Sequence, residues 1–236
     1  MLLWPYSPLG GVAVLALSHM LILYPTLRPN AQWLGPVVTR FETDGNEVWL
    51  TIDDGPTDDT RAVLDLLDRH QAKATFFVKG VLAEKQGDVI AEIVQRGHSV
   101  ANHSQTHPSA TFWCLLPGRI AMEIDECNRV LARLTSAKPR WFRAPVGMKN
   151  PAVHPVLARN GMRLIGWTIR GFDAVLDDVD EIAARMLPRL EPGAILVLHQ
   201  GRPHSLRALD RVIAAVKERG YALVIPDDAR LRNTKR

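Results

Sequence analysis

Leu50-Thr51-Ile52-Asp53-Asp54-Gly55-Pro56 closes an apolar, β-rich run with two adjacent carboxylates and a Gly-Pro turn. Residues 47–52 read as a buried strand, so the carboxylates stand where that strand leaves the core. Two like charges there repel unless a cation sits between them or neutralises one of them. The plainer alternative is a turn or N-cap pair ahead of a helix over 60–70, where Val63, Leu64, Leu66 and Leu67 have helical spacing.

Beyond this stretch, strand-like segments recur at 74–80, 98–102, 140–145, 163–169, 194–199 and 221–225. Helical patterns lie between them at 88–97, stopped by Gly97, and at 118–134. Further helices fit near 151–160, 179–190 and 205–219. Such alternation means βαβ units and a parallel sheet. The strand count suits an α/β barrel better than a short open sheet. On that arrangement Asp53, Asp54, His103, Arg143, Asp173 and His199 each fall at or just after the C-terminal end of a strand, the rim where α/β barrels carry their sites.

His103 and His107 stand four apart in Asn102-His103-Ser104-Gln105-Thr106-His107-Pro108. On a helical turn that spacing puts both imidazoles on one face, within reach of one metal ion. Asp54 is the natural third ligand, giving a His₂-carboxylate set. The cation would then offset the charge of Asp54. Asp53 would remain to take a proton from a water that the cation has acidified.

The segments 51–56 (TIDDGP), 103–107 (HSQTH), 143–147 (RAPVG) and 196–199 (LVLH) occur in the order found in the NodB-type polysaccharide deacetylases, carbohydrate esterase family 4. The chain resembles that family over about residues 46–225. The resemblance implies a distorted (β/α) barrel, a divalent metal (usually zinc, with cobalt or another divalent ion an option), and removal of acetyl groups from N-acetylated sugars. It makes Asp53 the catalytic base, Asp54, His103 and His107 the metal ligands, and His199 the general acid. Arg143 would hold the base in place. Pro145 would shape the loop that presents the Val146 N–H as oxyanion donor, and Leu196 and Leu198 would line the acetyl pocket. The family's fourth motif usually carries two aspartates and a tryptophan. Here residues 167–175 read WTIRGFDAV, with Arg170 at the first aspartate, Asp173 kept to orient Arg143 or His199, and Ala174 in place of the tryptophan. Arg170 would suit an anionic sugar. Trp113, Lys149 and Arg202 are further candidates for the groove. O-acetyl ester or formamide hydrolysis, a silent sugar-binding protein and a purely structural zinc are the rival functions.

Composition is that of a globular domain: 236 residues, 47% apolar and 23% charged. The net charge of +4 is concentrated in Arg230, Arg232, Lys235 and Arg236 at the C-terminus, so no basic footprint for nucleic acid crosses the body. Residues 227–236 are expected to form a solvated basic tail. Two cysteines, Cys114 and Cys127, exclude a disulfide framework and are expected to be small buried side chains. No charged side chain precedes Arg28, and Leu9 to Tyr24 is apolar but for Ser18 and His19. With its flanks this approaches the roughly 20 residues of a membrane span. Residues 1–27 are therefore expected to be an anchor helix, with Trp4, Tyr6 and Tyr24 at the interfaces; the alternative is an apolar helix packed on the domain. Residues 28–45 read as a linker and 46–226 as the catalytic domain. A single pass through a bacterial inner membrane is expected, and Arg28 and Arg40 lean toward a cytoplasmic domain.

Overall fold

The structure, a computed structural model, describes residues 7–233. Trp4, Tyr6, Lys235 and Arg236, named above for the interface and the tail, lie outside the described residues. In chain order the elements are α1 (Pro8–Leu27), β1 (Val37–Phe41), β2 (Glu47–Gly55), α2 (Thr60–Arg69), β3 (Ala74–Val78), α3 (Gly80–Lys85), α4 (Gly87–Gln95), β4 (Ser99–Asn102), α5 (Pro117–Thr135), β5 (Trp141–Phe142), α6 (Val153–Arg159), β6 (Arg163–Ile165), β7 (Ile169–Arg170), α7 (Val179–Met186), β8 (Ile195–His199), α8 (Ser205–Glu218), β9 (Ala222–Leu223) and β10 (Leu231–Asn233).

The sheet runs β10-β1-β6-β5-β4-β3-β2-β8-β7, with β9 pairing β2. Its pairs are parallel except β1–β10. The sheet curls until β1 meets the entrance to β8. Arg40 bridges Ala194 antiparallel, the Phe41 N–H donates to Gly193 O at 2.9 Å, and the Thr168 hydroxyl donates to Thr39 O. This is the distorted (β/α) barrel that the sequence implies.

Side-chain alternation along β2 fixes the two layers. Val48, Leu50 and Ile52 pack outward in one cluster with Val63, Leu66, Leu67, Val212 and Ile213 of the flanking helices. Trp49 faces inward with Phe77, Trp141, Ile195 and Val197. Thr51 and Asp53 have the same parity as Trp49, and both are buried.

The sheet extends beyond the boundaries expected at 46 and 226. The segment read as a linker contains β1, which buries Val37, Val38 and Phe41. The tail contains β10, where Arg232 pairs with Glu42; just before it, Arg230 pairs with Glu47 and lies over Phe41. Those arginines fasten the last strand instead of remaining free in solvent. The apolar stretch 163–169 is two strands, because the chain changes partners at Gly166. The Gly166 N–H donates to Val38 O at 2.7 Å, whereas the Thr168 N–H donates to Ile195 O at 2.9 Å. Cys127 is buried as expected, but Cys114 is exposed on a single 3-10 turn, Phe112–Cys114.

α1 is long and apolar enough to cross a membrane or to serve as a signal sequence, with a mean hydropathy of 1.6. Only 11% of its apolar window is buried, so it is not the core helix of the barrel. It touches the domain chiefly through its last turn, where Pro25 and Thr26 are buried. Lys149, fully buried, donates from Nζ to Pro25 O, Arg28 O and Pro29 O at 3.2, 2.9 and 3.0 Å. Pro25 O belongs to the last turn of the helix, its negative end, and Arg28 O and Pro29 O to the residues that follow it, so the ammonium ties the helix end to the chain that leaves it.

Candidate active site and metal centre

The strand-end carboxylates converge because β2 is irregular there. Strict alternation would send Asp53 inward and Asp54 outward. Instead the register with β3 slips between Asp53 and Gly55, and Asp54 takes φ 77°, a left-handed conformation. The bulge turns both carboxylates into one groove. The histidine pair is likewise brought together by a loop and not by the helical turn expected. Ser104 (φ 66°) and His107 (φ 54°) bend residues 103–107 until the two rings lie 4.6 Å apart. The Ser104 hydroxyl accepts from the His107 N–H at 3.1 Å and so holds that bend.

Ligand atoms of Asp54, His103 and His107 lie within 4.8 Å of one another. His107 Nε2 is 3.5 Å and His103 Nε2 4.0 Å from Asp54 Oδ1, too long for hydrogen bonds among themselves. Asp54 Oδ1 is buried without a hydrogen-bond partner. Lys79 Nζ approaches it to 2.9 Å as an ion pair, outside hydrogen-bond geometry. His103 donates Nδ1–H to Arg143 O at 2.8 Å, which fixes the tautomer and leaves the Nε2 lone pair facing Asp54. Burial pushes His103 below its ordinary range, and burial together with His103 holds His107 at about 3. For Asp54, burial is outweighed by the positive charges that His103, Lys79 and His107 carry in acid, where the carboxyl would take its proton, and these hold it well below the usual range. One carboxylate and two neutral imidazoles, close but not bonded to each other, fit a divalent cation such as zinc.

Asp53 is held by Arg143. The guanidinium Nη1 donates to Asp53 Oδ1 and to Thr51 Oγ1, both at 2.7 Å, and Nη2 donates to Gly166 O at 2.8 Å. It is stacked over Phe77 at 4.2 Å. Asp173 orients His199, not Arg143. It accepts from the His199 backbone N–H at 2.6 Å and pairs with Nδ1 at 3.0 Å. Burial opposes protonation of that ring, but the Asp173 carboxylate prevails and raises it to about 9. Val146 has φ 48°, which a β-branched residue rarely adopts, and no backbone carbonyl among the described residues accepts from its N–H. Pro145 is buried beneath it at the start of a 3-10 turn.

These groups share a groove of about 480 Å³, lined also by Lys79, Trp167, Arg170, Phe172 and Arg202. Four expected residues lie elsewhere. Leu196 and Leu198 have the outward parity of β8 and pack with Leu50 and Ile52; Val197, between them, lines the groove. Trp113 faces a separate apolar cavity beside Ile22 and Leu23 of α1. Lys149 is the buried cap on α1 described above. Lys79 and Phe172 were not foreseen, and neither carries a motif of its own. Trp167 had a signal, since it opens the stretch in which the fourth-motif tryptophan is missing; it supplies an aromatic wall from seven residues upstream of Ala174.

The family model for polysaccharide deacetylases matches residues 41–165. The chain is 34% identical to a chitooligosaccharide deacetylase from Bradyrhizobium over 75% of this chain and 87% of that one. Among solved structures it superposes on a family 4 carbohydrate esterase from Streptomyces lividans with a TM-score of 0.71 at 28% identity, covering 78% of this chain and 94% of that one. It also superposes on a family 4 pseudoenzyme from Bacillus anthracis, with a TM-score of 0.71 at 30% identity and coverage of 78% and 65%. With the fold, the extent of the match and the order of the motifs in agreement, the chain belongs to the polysaccharide deacetylase family.

Proposed function

We propose that the protein is a divalent-metal-dependent hydrolase that removes the N-acetyl group from an N-acetylglucosamine-containing glycan. The observation that carries this is one groove joining an Asp-His-His donor set to two separately held proton-transfer groups. Asp54, His103 and His107 would hold the cation, with zinc the best match to their chemistry. When bound, it supplies Lewis-acid polarisation of the acyl carbonyl and lowers the pKa of a water. Asp53, fixed by Arg143, takes the proton from the attacking water. The Val146 N–H donates to the oxygen on which negative charge develops. His199, protonated below about pH 9 and steadied by Asp173, gives its proton to the departing nitrogen. Amide cleavage needs that last step because an amine leaves poorly without a proton. α1 would anchor the chain in a bacterial inner membrane and keep the groove near the bilayer.

The test is acetate release by the full chain, loaded with zinc, from N-acetylglucosamine oligosaccharides, with Asp53→Asn as control. Release by the wild type that is lost in the control supports the reading. The likeness to a pseudoenzyme favours a second possibility, a protein that binds sugar without turnover. Oligosaccharide binding by both forms, with acetate released by neither, would establish that alternative.

A further inference from the structure

A second cavity, of about 510 Å³, lies between the end of α1 and β7, and three arginines line it: Arg28, Arg170 and Arg189. No carboxylate lines it, and none among the described residues forms an ion pair with any of the three. Arg170 is half-buried. Its guanidinium rests on the Phe172 ring at 3.9 Å and near Trp167 at 5.7 Å. Arg189 is held by donating Nη2–H to Thr168 O at 3.0 Å, and Arg28 lies over Tyr24 at 5.6 Å. Burial and the facing Arg189 both work against the charge on Arg170. By contrast, the neighbouring Arg185 is paired with Glu181. Three cations converging without an anion are unfavourable unless a ligand brings the negative charge.

The cavity is continuous in its walls with the catalytic groove, since Trp167, Arg170 and Phe172 line both. An anion seated on the arginines would be attached to whatever occupies the groove. Planar guanidinium forks match phosphate oxygens in pairs. Tyr24 places the cavity at the last turn of the apolar helix, where the phosphate of a membrane-borne substrate would lie. We infer that Arg28, Arg170 and Arg189 form a phosphate subsite, and that the substrate is an N-acetylated sugar esterified to phosphate. This rests on the deacetylase reading of the adjoining groove.

The experiment uses the full chain in detergent. It compares kcat/KM for N-acetylglucosamine 1-phosphate and for the neutral methyl glycoside, in the wild type, Arg170→Ala and Arg28→Ala/Arg189→Ala. Arg28 and Arg189 are exposed, so their removal leaves folding intact. The expected result is a preference of about tenfold or more for the phosphate ester, falling toward one in both variants. Equal kcat/KM in the wild type, or a preference that survives in both variants, would overturn the subsite. A third arm offers polyprenyl-phosphate-linked N-acetylglucosamine in vesicles. Faster turnover there than of the soluble ester identifies a lipid carrier and the reverse a soluble one, and either supports the subsite. Calorimetric binding of the 1-phosphate to Asp53→Asn, with and without the Arg28/Arg189 changes, needs no turnover. If no sugar yields acetate the deacetylase reading fails, and loss of this binding in the arginine variant still decides the subsite.

Discussion

Five of the non-glycine residues with positive φ crowd the groove: Asp54, Ser104, His107, Val146 and Phe172. Such conformations cost about 1–3 kcal/mol each and persist where the surroundings enforce them. Here Asp54, His107 and Val146 line the groove, Ser104 holds the bend before His107, and Phe172 carries the Arg170 guanidinium. In the proposed mechanism Asp53→Asn removes the base, and acetate release should fall by about 10²–10⁴-fold while metal content per chain is unchanged. The rate should also decline as pH rises through about 9, where His199 loses its proton. Asp173→Asn removes the main cause that raises that value, so the falling limb of the pH–rate profile should move toward the ordinary histidine range of about 6.5. A limb that stays in place in the variant would show that His199 is not the acid. The carboxylates, the histidines and Arg143 were legible in the sequence because their chemistry is uncommon and their order specific. Leu196 and Leu198 were misplaced because their face depends on the parity of β8, which is set by His199 pointing into the groove. Trp113 was misplaced because nothing local says which of two cavities a loop aromatic meets.

At the scale of elements, the loop after β5 joins the site to α1. Gly147 adopts φ 75°, and a Cβ there would lie 2.5 Å from Trp167 and 2.7 Å from Pro29. Two residues on, Lys149 holds the helix carbonyls. Gly147→Ala should therefore cost about 1–3 kcal/mol, several degrees in Tm, measured by thermal unfolding of the full chain. It should lower turnover as well, because Val146 is adjacent. A fragment beginning at residue 43 would lose β1, and with it Val37, Val38, Phe41 and the partner of β10. It should fail to give a cooperative unfolding transition, and a cooperative one would show that β1 is dispensable. The long periodic helices and the apolar strands were legible from pattern alone. β1 and β10 were not, because each is short and is stabilised by partners far along the chain. The split between β6 and β7 was hidden for a related reason, since an unbroken apolar run gives no sign of a change of partner.

For the whole molecule, a curled sheet presents the site at the C-terminal ends of its strands, and an apolar helix of 20 residues is fastened beside it. At about 1.5 Å per residue such a helix reaches across the roughly 30 Å of bilayer hydrocarbon. The full chain should float with lipid vesicles on a density gradient at high salt, and recovery in the soluble fraction would contradict an anchor. Such an anchor would place the proposed reaction beside the bilayer, which suits a substrate carried there. In the proposed mechanism Asp54, His103 and His107 hold a cation on which the deacetylation depends. The most direct measurement titrates zinc into chelator-treated full chain and follows bound metal and acetate release in the same samples. Acetate release should be absent without metal and rise in step with occupancy, saturating at one ion per chain. Undiminished release from the metal-free protein, or a bound ion that changes nothing in the rate, would rule out a catalytic metal at Asp54, His103 and His107.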